Sequence, residues 1–225
     1  TAYRAMEDLS NLSRGSVTMG VIPTIAPYLL PDLVNAFQEK YSQLRLELRE
    51  DRTEVLLGLL RSGEIQVAIL SPPIAGDFVV YPLFEEALFL CVREGSELLK
   101  RSEVSLEELK KEPFLLLHQD HCLSGQVEQF CMHQEVSLNT VFRSSQLETI
   151  KSMVRSGNGL SLMPEMAIDR RRSNGLGYVS VTPRLRREIA IVHHRDQSPS
   201  RAAMAFLEFV QTQFGRGGLI TKCWP

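Results

Sequence analysis

The feature that most restricts the fold is the near-unbroken apolar run IQVAIL at residues 65–70, which lacks the polar alternation of a strand with one face in water. A strand apolar on both faces must be covered on both, the signature of a parallel sheet flanked by helices. What precedes it fits. Residues 16–22 read as a strand ending at Pro23, and residues 26–40 carry a helical period anchored by Phe37. Residues 44–49 alternate as a strand, and residues 53–62 form a helix closed by Gly63. Two strand–helix units in succession imply a parallel sheet with right-handed crossovers, and so an α/β class.

A second set of elements follows Pro82. Residues 87–92 read as a strand, and Ser105 with Glu108 forms an S-x-x-E capping box opening the short helix LEELKK. Strands are expected at 114–117 and 140–143. Ser145 and Glu148 are placed to cap an amphipathic helix running through Leu147, Ile150 and Val154, and Gly157 and Gly159 break it before the strand LSLM. Strands at 178–181 and 188–192 and a helix at 200–214 complete the chain. The last helix needs a partner for its apolar face, and the first sheet can supply one. The expected architecture is therefore two Rossmann-like lobes joined by two crossover strands, near 84–86 and 187–191. Residues 15–86 and 191–214 make one lobe and 87–190 the other, with 1–14 the end of a linker helix and 215–225 a tail. Strand ends and helix N-termini facing a cleft between such lobes would converge on a ligand.

Charge excludes some roles. The 25 basic residues nearly balance the 27 acidic ones and are scattered apart from Arg170, Arg171 and Arg172 and the group Arg184, Arg186 and Arg187, which is too little for a nucleic-acid surface. No apolar run reaches the ~18 residues of a membrane span, and the opening TAYRAMEDLSNLSRG has neither a basic n-region nor an apolar h-region. These features predict a cytoplasmic protein without membrane contact. A start at Thr1 followed by a polar, helix-like stretch suggests that more chain precedes it in the gene product.

Four cysteines are too few for a disulfide framework. Cys91, in the alternating run ALFLCV, is expected to be a buried, inert thiol, and Cys223 lies in the terminal tail. Cys122 and Cys131 stand nine residues apart in a helix-like segment, HQDHCLSGQVEQFCMHQ. On an α-helix that offset is two and a half turns, with α-carbons roughly 13 Å apart and sulfurs on opposite faces. A disulfide tolerates less than about 7 Å, so any bond between them requires the helix to be dismantled. His118, His121 and His133 join the two cysteines as zinc-type ligands, but their spacing fits no standard finger.

The stretches GSVTMGVIPTIAPYLLPDLVNAFQEKYSQLRLEL, LLGLLRSGEIQVAIL and IKSMVRSGNGLSLMP resemble the effector domain of LysR-type transcriptional regulators, over about residues 15–214. The H-C-x8-C spacing, FRSSQLETIKSMVRSGNGLSLMP and the RRE before the last strand are similar to the peroxide-sensing branch of that family. The resemblance implies a periplasmic-binding-protein-like (type II) effector domain. It implies Cys122 as the peroxidatic thiolate, oxidised to a sulfenic acid, and Cys131 as the resolving thiol that forms the disulfide. His121 would belong to the reactive pocket, Thr24 and Thr53 would hold peroxide through their hydroxyls, and Arg187 would stabilise thiolate and leaving oxygen. Also implied are an N-terminal winged helix-turn-helix, a homodimer or homotetramer, promoter DNA and RNA polymerase as partners, a thiol reductant for resetting, and activation of oxidative-stress genes without a cofactor or enzymatic turnover. The chain departs from the pattern E-D-G-H-C-L-R-D-Q: Asp120 stands where a glycine is usual, and a carboxylate near a thiol disfavours the thiolate unless it points away. Read without the resemblance, threonines at helix starts are ordinary N-caps and Arg187 part of a solvated basic edge.

Two other roles fit parts of the pattern: a LysR-type effector domain binding a small organic ligand in the inter-lobe cleft with incidental cysteines, and a thiol peroxidase that turns over with an external reductant.

Overall fold

A computed structural model describes residues 15–169 and 174–214. Residues 1–14 and 215–225, Arg170–Arg172 and Cys223 lie outside the described residues. By its contacts the chain divides into two compact units, one running to Phe84 and resuming at Glu188, the other spanning Glu85–Arg187. The lobe ranges expected from sequence place these passages two or three residues further on.

In the first unit, β1 (Gly15–Val21) leads to α1 (Ala26–Lys40), β2 (Leu44–Glu50), α2 (Thr53–Ser62) and β3 (Val67–Leu70). β1 lies between β2 and β3 and is parallel to both, Gly15 facing Leu44 and Met19 facing Val67. Val67 through Leu70 are fully buried, which is why that run needs no polar face. Leu29, Leu33 and Phe37 bury one stripe of α1, and Leu56, Leu57 and Leu60 one stripe of α2. Gly63 ends α2 in the left-handed region, φ 76°, a conformation that costs glycine nothing. Two further strands serve this unit with part of their length: β4 (Phe78–Arg93) and β10 (Arg186–His194). β10 runs antiparallel to β3, Ala190 facing Leu70. The closing helix α5 (Arg201–Phe214) lays Phe206 and Phe209 against Phe37, ring centroids 5.0 and 5.3 Å apart in edge-to-face contact.

β4 is longer than the strand predicted at 87–92, because Pro82 does not interrupt it. A proline's fixed φ suits extended backbone and removes only one donor from the ladder. In the second unit β4 pairs antiparallel with β8 (Ser161–Pro164) and β9 (Leu176–Thr182), and β5 (Glu103–Ser105) runs parallel to β9. A separate parallel pair, β6 (Pro113–Leu117) and β7 (Asn139–Ser144), matches Leu116 with Arg143 and Leu117 with Ser144. Between them lies α3 (Cys122–His133), and after β7 comes α4 (Leu147–Arg155). Gly159 touches β6, and a Cβ there would sit 2.5 Å from the Pro113 carbonyl oxygen.

Of the two predicted capping boxes, the first forms and the second does not. LEELKK is a 3-10 helix capped by Ser105, whose Oγ accepts from the Glu107 N–H, while the Glu108 carboxylate accepts from the Ser105 N–H and also pairs with Arg101. Gln146, not Ser145, caps α4, Ser144 Oγ accepts from its N–H at 3.1 Å, and Glu148 pairs with Lys151 at 2.7 Å.

Candidate redox site

The site begins where β6 ends. The His118 N–H donates to the Ser144 carbonyl at 2.9 Å and the His121 N–H to the His118 carbonyl at 3.0 Å, a turn that brings the chain from β6 onto the first residue of α3. His121 is buried and occupies the N-cap with extended backbone, φ −90° and ψ 126°, and its carbonyl accepts from the Ser124 N–H at 3.0 Å. Cys122, half-buried, is therefore the first helical residue, where the backbone N–H groups of a helix favour negative charge.

Cys131 sits near the other end of the same helix, 2 % exposed. Burial, reinforced by the Glu128 carboxylate, pushes its thiol up to about 11, so it holds its proton at neutral pH. Its carbonyl accepts from the N–H groups of Gln134 and Val136, at 3.1 and 2.9 Å, and Glu135 stops the helix with φ 56°. Neither cysteine is in a disulfide, nor is Cys91. Cys91 is fully buried on β4, its thiol pushed up to about 12 by burial, which fits the inert thiol expected there.

Arg187 is not a solvated edge. Its side chain and that of Glu86 are 0 % and 1 % exposed, and its Nε and Nη2 both lie 2.7 Å from Glu86 Oε1. Glu86 Oε2 accepts from the Met166 N–H at 2.9 Å. Burial pushes the Glu86 carboxyl up, and the guanidinium and the amide pull it back. Sequence reasoning passed over Glu86, although a signal existed: it shares strand parity with the buried Leu88 and Leu90, and a charge at an inward position calls for a buried partner.

Cys122, Cys131, His121 and Arg187 thus belong to one unit, and Thr24 and Thr53 to the other. Neither threonine is an N-cap. Thr24, 2 % exposed, lies in the turn before α1, which Ile25 caps, and Thr53 is the first residue of α2, which Arg52 caps; neither cap uses a side-chain bond. Thr53 Oγ1 is buried without a hydrogen-bond partner, the state of a hydroxyl able to bond a small polar molecule. Among the described residues no group of three or more His, Cys, Asp or Glu side chains is placed to hold a metal, and no helix is long and apolar enough to cross a membrane.

The family profile of the LysR substrate binding domain matches residues 10–215. The "DNA-binding transcriptional dual regulator OxyR" of Escherichia coli (strain K12) is 34 % identical over 191 residues, 84 % of this chain and 62 % of that protein. The "Hydrogen peroxide-inducible genes activator" of Pectobacterium carotovorum is 34 % identical over 190 residues, 83 % of this chain and 63 % of that protein. The chain thus spans less than two thirds of these relatives' length. The oxidised form of OxyR aligns with a TM-score of 0.75 at 32 % identity, covering 91 % of this chain and all of that one. From its opening strand to its closing helix, then, the chain belongs to the LysR substrate binding domain family, in the OxyR branch with its periplasmic-binding-protein-like (type II) fold.

Proposed function

We propose that this chain is the peroxide-sensing regulatory part of a cytoplasmic LysR-type transcription regulator. The observation that carries the proposal is the asymmetry of two reduced thiols on one helix, Cys122 half-exposed at its positive end and Cys131 buried and protonated two and a half turns on. The Cys122 thiolate attacks one peroxide oxygen, the O–O bond breaks, and the departing hydroxide takes a proton to leave as water, giving the sulfenic acid. Cys131 sulfur then attacks the Cys122 sulfur and expels the hydroxyl as a second water. Two thiols and one peroxide become one disulfide and two waters. Thr24, Thr53, His121 and Arg187 hold the peroxide and its leaving oxygen. The unpartnered, buried Thr53 hydroxyl supports this role.

Because α-carbons roughly 13 Å apart must come within about 7 Å, the bond unwinds α3. The remodelled unit changes a homodimer or homotetramer interface and thereby the grip of an N-terminal winged helix-turn-helix on promoter DNA and on RNA polymerase. A cellular thiol reductant restores the helix. The names of the relatives, which speak of hydrogen peroxide and of DNA binding, support this reading. One equivalent of hydrogen peroxide added to the reduced chain is expected to yield a Cys122–Cys131 peptide by mass spectrometry within minutes, and none in Cys122→Ser. Consumption should stop at one equivalent. Free sulfurs after treatment would end the proposal, and sustained turnover would make the chain a peroxidase.

A further inference from the structure

We infer that Arg143 is a positioning residue that latches α3 in its reduced shape, and so governs how readily Cys131 reaches Cys122. The inference rests on the disulfide reading above. From β7, the Arg143 guanidinium donates to the Leu117 carbonyl at 3.1 Å and to Ser124 Oγ at 3.2 Å, and it pairs with the Glu128 carboxylate. Ser124 Oγ in turn donates to the same Leu117 carbonyl at 2.9 Å. One side chain thus fastens two successive turns of α3, at positions i and i+4, to the end of β6.

Both fastened residues lie within the loop that the disulfide would close. Ser124 and Glu128 can meet one guanidinium together only while α3 is helical, so joining the two sulfurs must pull at least one of them away. The buried residues of α3 are Leu123, Ser124, Val127 and Cys131, of which only Leu123 and Val127 are sizeable hydrocarbons. Glu128, Arg143 and Cys131 also share the wall of a recess of about 440 Å³ with Leu116 and Val136, so the latch and the resolving thiol are neighbours. The first chemical step needs no movement of α3. Only the second, and the equilibrium between dithiol and disulfide, should feel the latch.

The test compares the reduced chain with Arg143→Met, Glu128→Gln and Ser124→Ala. Rapid quenching with dimedone follows sulfenic acid formation at Cys122, non-reducing peptide mass follows the disulfide, and glutathione buffers give the midpoint potential. Each substitution is expected to leave the first step within twofold, to speed disulfide formation about tenfold, the worth of one hydrogen bond to a charged group, and to lower the midpoint by about 30 mV. Arg143→Lys should fall between. Unchanged second-step rates and potentials in variants that still form the disulfide would overturn the latch alone. Acceleration confined to Glu128→Gln would also overturn it, assigning the effect to the carboxylate's charge beside Cys131. A parent chain that forms no disulfide would remove the redox reading itself. If Arg143→Met does not fold, the other two variants decide.

Discussion

At the residue scale, burial decides which groups can react. Cys131 has its thiol lifted from the ordinary 9.0 to about 11. Below pH 9 it is protonated whether the chain is folded or not. Between 9 and 11 the unfolded chain gives up that proton first, so stability falls as pH rises through this window. Urea denaturation between pH 8 and 11 should therefore show a shallower fall for Cys131→Ser than for the parent. Glu86 and Arg187 pose the opposite problem, since neither charge reaches water. Glu86→Leu would strand the guanidinium and is expected to cost about 3–5 kcal/mol, whereas Glu86→Leu with Arg187→Met should recover most of that loss. The double variant also tests Arg187 in the proposed chemistry, because a folded protein without the guanidinium should form the Cys122 sulfenic acid at least tenfold more slowly, by dimedone trapping.

At the element scale, α3 is poised to be undone. Gly125 is exposed in its second turn, and an added Cβ there meets nothing within 4 Å. Gly125→Ala should therefore stabilise the helix by about 1 kcal/mol without disturbing a neighbour. The reduced form is expected to melt higher and to form its disulfide about fivefold more slowly, as thermal melts by circular dichroism and timed quenching would reveal; an unchanged rate would mean that the helix need not unwind. The helices at Ala26–Lys40 and Thr53–Ser62 were legible to the residue because each carries an apolar stripe, and Gly63 marks the end of the second. So was the helical segment carrying both cysteines. The Ser105 cap was legible from its S-x-x-E pattern, but the cap of α4 was not, because a capping box is a local pattern whose acid is open to other offers: Lys151 takes Glu148. Arg143 was hidden for a related reason. Its three partners come from β6 and α3, and no spacing along the chain records a contact made across a parallel pair of strands. Glu86 with Arg187 was readable in principle, from strand parity, but only by asking why a charge points inward.

At the scale of the whole molecule, each of the two units has a core of its own. Phe37, Phe206 and Phe209 anchor the first around β1 and β3, whereas Leu90, Phe114, Leu115 and Val154 are buried in the second. Both thiols of the proposed switch lie in the second. The helix α3 packs on β6 of its own unit, so the loss of order on remodelling it is expected to stop at that unit's boundary rather than spread along the chain. Amide hydrogen exchange before and after one equivalent of peroxide is the measurement. Protection is expected to drop across 118–138, where α3 and its flanking turns lie, and to persist in β1, β3 and α5. The two strands that pass between the units, β4 and β10, should keep theirs as well, since β3, β8 and β9 hold them by ladders that α3 does not touch. Loss of protection in β1 or β3 would mean that the units fold as one cooperative body, and that oxidation at Cys122 acts on the whole molecule rather than on the half that holds it.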